Sequence, residues 1–240
     1  MVGKSQIKFI KSLQQKKYRN QHQLFVVEGK KLVNELLVAH FNIYKLYSTD
    51  EVFVKQHQDN AVLITELELK KISNLKTPNT VLGIFKIPDP KPINDHGWVV
   101  ALDAVSDPGN LGTIIRLCDW FGIQHLLCGT HTVDCYNAKV LQATMGSITR
   151  VNIVYADLET YIKNVSMPVF GAFMDGAPIY TTQIPEKGVL VMGNEANGIS
   201  DSIEKAITTK ISIPQFGEKT TESLNVATAT AILLNEIRRD

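Results

Sequence analysis

From Trp98 to the end, the chain alternates short uninterrupted apolar runs with amphipathic stretches, and this alternation leaves few folds open. The runs 98–105, 125–128, 151–155, 169–173, 189–192 and 210–213 predict strands. Strands that are apolar along their whole length are buried on both faces, as in a parallel sheet covered by helices. Helices are predicted over 111–121, 138–148 and 223–238. The first of them sets Leu111, Ile114, Ile115, Cys118 and Phe121 on one stripe. Ahead of this half lies a smaller α/β pattern, with strands predicted over 24–27, 43–47, 61–64 and 81–85 and helices over 5–13, 31–39 and 67–72. Between the two, residues 87–97 hold Pro88, Pro90 and Pro92, a density that neither helix nor strand absorbs. The expected organisation is therefore α/β throughout: a small domain over 1–90, a linker, and a mostly parallel-sheet domain over 98–240.

Charge is distributed unevenly. The chain of 240 residues has a formal net charge of only +1. Yet the first 31 residues carry Lys4, Lys8, Lys11, Lys16, Lys17, Arg19, Lys30 and Lys31 against Glu28 alone. Such a concentration points to a polyanion, with Lys16, Lys17, Arg19, Lys30 and Lys31 as candidate RNA contacts and Tyr18 interleaved among them. The plainer alternative is a solvated basic helix. No apolar run is long enough to span a bilayer, and no apolar stretch follows the N-terminal lysines as a signal peptide requires. An odd count of 3 cysteines without a CxxC pair fits a reducing compartment, so a cytoplasmic location is expected.

Three stretches carry chemistry. In 103–116 a strand end leads through Pro108-Gly109 into a helix; Asn110 can cap it, and Arg116 falls opposite the apolar stripe, free to face a ligand or water. In 189–200 an apolar strand stops at Gly193-Asn194-Glu195, with a second glycine at Gly198. Glycines there permit close approach of backbone to a ligand. The spacing is neither a P-loop nor a dinucleotide fingerprint. In 213–227 the strand ends at Pro214, a polar loop follows, and Ser223-Leu224-Asn225 opens the last helix. Each stretch alone is open to an ordinary reading as helix cap or solvated loop. All three would end at the carboxyl edge of the sheet, where α/β proteins bind ligands. A fourth grouping, His125, Cys128, His131 and Cys135, has a spacing that matches no common zinc site, and no metal is expected.

Taken in order, Asn110 with Arg116, then Gly193-x-Glu195-x-x-Gly198, then Ser223-Leu224-Asn225-Val226, resemble the three motifs of the SpoU/TrmH family of RNA ribose methyltransferases in the SPOUT superfamily. The resemblance covers Trp98 to the C-terminus; the first domain more weakly resembles the ribosomal-protein-like RNA-binding domain that often precedes it. The resemblance implies a C-terminal trefoil knot, which residue patterns do not suggest because knots are nearly absent from proteins. It implies S-adenosylmethionine as methyl donor, held by Phe173, Met174, Gly193, Asn194, Glu195, Gly198, Ile213, Leu224 and Asn225. It also implies catalytic roles for Asn110, Arg116, Glu195, Ser223 and Asn225, a homodimer, and an RNA substrate, ribosomal RNA in preference to transfer RNA. An RNA-binding protein of the same fold without catalysis, and an enzyme acting on a small molecule, are the competing readings.

Overall fold

The computed structural model describes residues 2–217 and 223–239. Glu218, Lys219, Thr220, Thr221 and Glu222, part of the third stretch above, lie outside the described residues. In chain order the first elements are α1 (Lys4–Ser12), α2 (Lys16–His22), β1 (Leu24–Glu28), α3 (Lys30–Val38), β2 (Ile43–Ser48), α4 (Glu51–Gln56), β3 (Ala61–Leu63), α5 (Glu66–Ile72) and β4 (Val81–Lys86). They are followed by β5 (Trp98–Leu102), α6 (Pro108–Trp120), β6 (His125–Gly129), α7 (Ala138–Thr144), β7 (Asn152–Ala156), α8 (Leu158–Asn164), β8 (Val169–Pro178), β9 (Gly188–Met192), α9 (Asp201–Glu204), β10 (Thr209–Ser212) and α10 (Val226–Ile237).

Two compact units result. One comprises Met1–Asp89 and Tyr136–Thr149, the other Pro90–Cys135 and Arg150–Asp240. The division at Asp89 falls among the prolines, whereas the grouping of Tyr136–Thr149 with the first unit is a tertiary fact that linear order does not carry.

The first unit is built on a mixed sheet of order β1-β4-β2-β3, in which β4 runs antiparallel to both β1 and β2 and β3 runs parallel to β2. Phe25, Leu36, Leu46, Phe53, Leu82, Ile84 and Phe85 fill its core. Two helices escape the apolar pattern: α2, whose one buried residue is Arg19, and α4, capped by Asp50 through the N–H groups of Val52 and Phe53. Arg19 corrects an expectation. It is only 3% exposed, and its Nη1 donates to the Leu13 carbonyl at 2.9 Å and the Gln14 carbonyl at 2.6 Å. The guanidinium closes the α1–α2 turn instead of facing RNA. Lys16, Lys17, Lys30 and Lys31 are exposed; Lys30 pairs with Asp50 at 2.9 Å.

The second unit holds a six-stranded sheet of order β10-β8-β9-β5-β6-β7, with every pairing parallel. β5, β6 and β9 are buried along their full length, as their continuous apolar runs require. Strand β8 runs on to Pro178, beyond the apolar run. Against β10 its register jumps: Lys210 faces Gly171 but Ile211 faces Ala177, so the intervening residues of β8 bulge out. Gly176 lets the strand return, since a Cβ there would lie 2.6 Å from the Ile211 carbonyl carbon. Periodicity does not reveal the short helices α8, whose N-cap Asp157 accepts the N–H groups of Glu159 and Thr160, and α9, which follows Ser200.

Candidate active site

The carboxyl ends of β5, β9 and β10 and the mouths of α6 and α10 bring the three stretches together. Helix α6 opens earlier than the sequence suggests. Its N-cap is Asp107, whose Oδ1 accepts the Asn110 N–H at 2.8 Å, and Pro108 sits inside the first turn. Asp-Pro at a helix start is a recognisable signature, because proline has no N–H to leave unpaired. The expected capping role of Asn110 therefore belongs to Asp107. This frees the Asn110 amide: its Nδ2 donates to Glu195 Oε1 at 3.0 Å, and its Oδ1 accepts from Asn225 Nδ2 at 2.9 Å. Asn225, in turn, is the N-cap of α10, accepting the N–H groups of Ala227 and Thr228. Helix α10 thus begins at Val226, and Ser223, expected inside it, lies exposed just ahead of the cap.

Glu195 is the acceptor at the head of this chain. Besides Asn110, Oε1 takes the Asp107 N–H at 3.1 Å, and Oε2 takes the Ser106 N–H at 3.1 Å, the Ser106 hydroxyl at 3.2 Å and Asn194 Nδ2 at 3.3 Å. Partial burial pushes the Glu195 carboxyl up, but the hydrogen bonds from Asn110, Ser106 and Asp107 outweigh it, and its pKa is lowered on balance. An ionised carboxylate can only accept, so its partners' orientations are fixed. Asn110 must turn its NH2 toward Glu195 and its oxygen toward Asn225.

The loop after β9 is rigid. The backbones of Asn194 and Gly198 pair in both directions, at 2.8 and 3.0 Å, while Asn194 Oδ1 accepts the N–H groups of Ala196 and Asn197. A Cβ on Gly193 would fall 2.2 Å from the Gly198 carbonyl carbon, and Gly198 has φ +69°. Two side chains pin this loop to the one after β5: Asn194 Nδ2 donates to the Ala104 carbonyl at 2.7 Å, and Asp103 Oδ2 accepts the Ser200 N–H at 2.7 Å. In the sequence Asp103 and Ser106, an acid and a serine beside a turn, carry no particular signal.

The other expected residues divide. Met174, 61% exposed on the β8 bulge, and Leu224, 47% exposed before α10, offer apolar surface. Phe173 is half-buried against the apolar cluster of Ile199 and Ile203, with Lys210 Nζ 4.7 Å from its ring centre. Ile213 directly follows β10. Arg116 is exposed on α6 and makes no hydrogen bond or ion pair with the described residues. Close-packed glycine backbone, adjoining apolar side chains and amide groups are a donor set suited to a nucleoside such as S-adenosylmethionine. Cys128 and Cys135 are buried, their thiols pushed up by that burial, and His125 Nδ1 meets Asn152 Nδ2 at 3.0 Å. Among the described residues no group of three His, Cys, Asp or Glu is placed to hold a metal ion.

The chain is similar to known proteins over both units. Residues 97–235 match the SpoU rRNA Methylase family, and residues 4–83 match the MRM3-like substrate binding domain. The chain is 30% identical over 239 residues to the 23S rRNA (guanosine(2553)-2'-O)-methyltransferase RlmP of Bacillus subtilis, covering 97% of this chain and 95% of that protein. It is similar to the solved structure of a TrmH-family protein from Porphyromonas gingivalis, with 38% identity, a TM-score of 0.92, and 99% and 98% of the two chains covered. The AdoMet-bound rRNA methyltransferase from Sinorhizobium meliloti superposes with a TM-score of 0.88 at 30% identity, over 99% of this chain and 96% of that one.

Proposed function

Because this chain belongs to the SpoU rRNA Methylase family, we propose that it transfers a methyl group from S-adenosylmethionine to a ribose 2′-hydroxyl of RNA, with ribosomal RNA favoured over transfer RNA. The observation that carries the reading is the hydrogen-bonded chain Glu195–Asn110–Asn225, which joins three segments far apart in sequence at the carboxyl edge of one sheet.

When bound, S-adenosylmethionine supplies a sulfonium-activated methyl group, so the transfer calls for no metal. The protein's contribution is placement. The Gly193–Gly198 loop, Met174, Ile213 and Leu224 would hold the nucleoside, with Gly193 permitting the close approach of the Gly198 backbone that shapes the loop and that any side chain would block. Glu195 does not suit the role of base, because its pKa is lowered and its oxygens are engaged by five donors. Its role is to orient Asn110 and, through it, Asn225. Arg116 is permanently protonated and would clamp an RNA phosphate and offset negative charge developing on the attacking oxygen. Ser223 would position the ribose. Alignment of oxygen, methyl and sulfur supplies much of the acceleration in such a transfer.

The same reading includes a homodimer and the trefoil knot of the SPOUT fold. Thr113, Arg116 and Trp120 lie on one face of α6, and Trp120 is 85% exposed, a large apolar surface of the kind a partner covers. Arg116 would then act on a site completed by the other subunit. Lys16, Lys17, Lys30 and Lys31 remain RNA-contact candidates, and a cytoplasmic location belongs to the proposal; no helix among the described residues is long and apolar enough to cross a membrane.

Three measurements test it. Calorimetric titration should show S-adenosylmethionine binding, which a non-catalytic RNA-binding protein would lack. Mapping of 2′-O-methylation on total RNA, with and without the gene product, should reveal a protein-dependent ribosomal site. Arg116→Ala should bind the donor within about twofold of the parent, since Arg116 has no described partner, while turnover falls at least about 100-fold, the scale of a lost transition-state donor. Methylation by Arg116→Ala at the parent rate would remove the clamp from the mechanism.

A further inference from the structure

The first unit carries a second surface that the residues discussed so far do not use. Three aromatic rings from separate elements meet at its exterior: Phe9 on α1, His22 at the end of α2, and Tyr44 on β2. The His22 ring meets Phe9 edge-on with centroids 5.1 Å apart, and the Tyr44 ring lies 6.1 Å from Phe9. Phe9 is anchored from below by the core around Ile10, Leu13 and Leu24. Tyr44 is 50% exposed, and His22 is exposed as well. The strand does not place Tyr44 there by simple alternation. Ile43 pairs with Phe85 and Lys45 with Ile84, so Tyr44 is the extra residue of a β-bulge. Bulges re-aim a side chain and are features of a fold, not defects of it.

The segments that supply the rings carry charge of one sign, although Glu68 of α5 meets the Val2 N–H at the start of α1. Helix α1 carries Lys4, Lys8 and Lys11 at spacings of four and three, all exposed and none in an ion pair with the described residues. Residues 1–27 and 40–47, which supply all three elements, contain no aspartate or glutamate. Two exposed rings and a half-buried one, held by a core and carried on a segment with unpaired lysines, are the composition of a single-strand nucleic-acid platform, in which bases stack on aromatic faces and lysines follow the phosphates.

We propose that Phe9, His22 and Tyr44 form a stacking platform for unpaired bases of single-stranded RNA, with Lys8 and Lys11 on its phosphates. This deepens the RNA-substrate reading and rests on it for the identity of the polyanion. It predicts that the RNA segment engaged by the first unit is a loop or single strand, since paired bases do not expose their faces.

The test is fluorescence anisotropy on the full chain with a labelled oligouridylate of about 12 nucleotides, a length within the range of known single-strand sites. A duplex of equal length is the control. The parent should prefer the single strand. Tyr44→Ala should weaken single-strand binding at least about fivefold, the lower end of what one lost stacking ring costs. Tyr44→Phe, which keeps the ring, should stay within about twofold. Lys8→Gln with Lys11→Gln should flatten the dependence of affinity on salt. Tyr44→Ala binding the oligouridylate as tightly as the parent overturns the platform, as does equal affinity of the parent for duplex. A parent that binds no oligouridylate also overturns it, in favour of a protein-facing patch. Donor titration separates this outcome from the methyltransfer reading: Tyr44→Ala should bind S-adenosylmethionine like the parent. A parent that binds oligouridylate but no donor would leave the platform standing and sink the enzyme.

Discussion

Asn110→Asp is the sharpest probe of the site, because it changes almost no volume and reverses one hydrogen bond. The Asn110 Nδ2 lies 3.0 Å from Glu195 Oε1 and donates to it. An aspartate there would set carboxylate against carboxylate at that distance. Coulomb repulsion at 3 Å amounts to about 1.4 kcal/mol at the dielectric of water and about 5 kcal/mol at the effective value near a protein surface. The new carboxyl can escape by taking a proton, which limits the cost near pH 7 to about 4 kcal/mol, given an unperturbed pKa of about 4. With Glu195 exposed to solvent, the expected loss lies toward the lower part of this range, about 2 kcal/mol. For a chain of this size that lowers Tm by roughly 4–8 °C. The pH dependence has a definite sign. Repulsion raises the folded-state pKa of the new carboxyl above its unfolded value, so the folded state binds more protons between the two. The deficit therefore grows as pH rises from about 4 through the raised pKa and shrinks again on acidification. Asn110→Ala loses both hydrogen bonds, whereas Asn110→Asp keeps the acceptor for Asn225; with no repulsion, the alanine variant should show no such acid recovery. Calorimetric melts of both variants between pH 5 and pH 8, with donor titration alongside, provide the comparison. An Asn110→Asp deficit indifferent to pH would mean that Asn110 does not face an ionised Glu195.

Three further expectations concern other parts of the chain. Arg19→Lys should destabilise the first unit by about 1.5–3 kcal/mol in chemical denaturation, because the buried guanidinium bridges the Leu13 and Gln14 carbonyls and an ammonium cannot reproduce its fork; single-strand RNA affinity at a temperature where the variant is folded should change little. Gly193→Ala should abolish donor binding in calorimetry, since its Cβ would fall 2.2 Å from backbone that cannot move without opening the loop; donor affinity close to the parent's would show that the loop is soft. Glu68 is held at a pKa of about 2 by the Thr65 N–H first and the Val2 N–H second, so it contributes stability present above its unfolded value, near 4.5, and lost as pH falls toward 2; Glu68→Gln should flatten the acid limb of the stability profile over that window.

Arg19 and Asn110 show where linear reading stops. In the sequence Arg19 is one more cation in a basic segment, and nothing in the spacing marks it as buried. Its position follows from the turn between α1 and α2, whose carbonyls need a donor that only the folded chain brings near. Asn110 reads as a cap because asparagine beside a helix start often is one; Asp107, three residues earlier, takes the cap and releases it. Helices α8 and α9, too short for periodicity, and the β8 bulge were equally out of reach.

The sequence by itself determined the layers. Continuous apolar runs can be buried on both faces only between helices, so the parallel sheet and its strands followed from hydrophobic pattern, and the three polar stretches were recognisable at the ends of those strands. Tertiary structure alone decided which side chains face one another. Strand order β10-β8-β9-β5 sets the loops of β9 and β5 side by side, which joins Glu195 to Asn110, and the packing of α10 against α6 adds Asn225 to the same hydrogen-bonded chain. Hydrogen bonds act over about 3 Å, whereas hydrophobic pattern fixes only the face on which a residue lies.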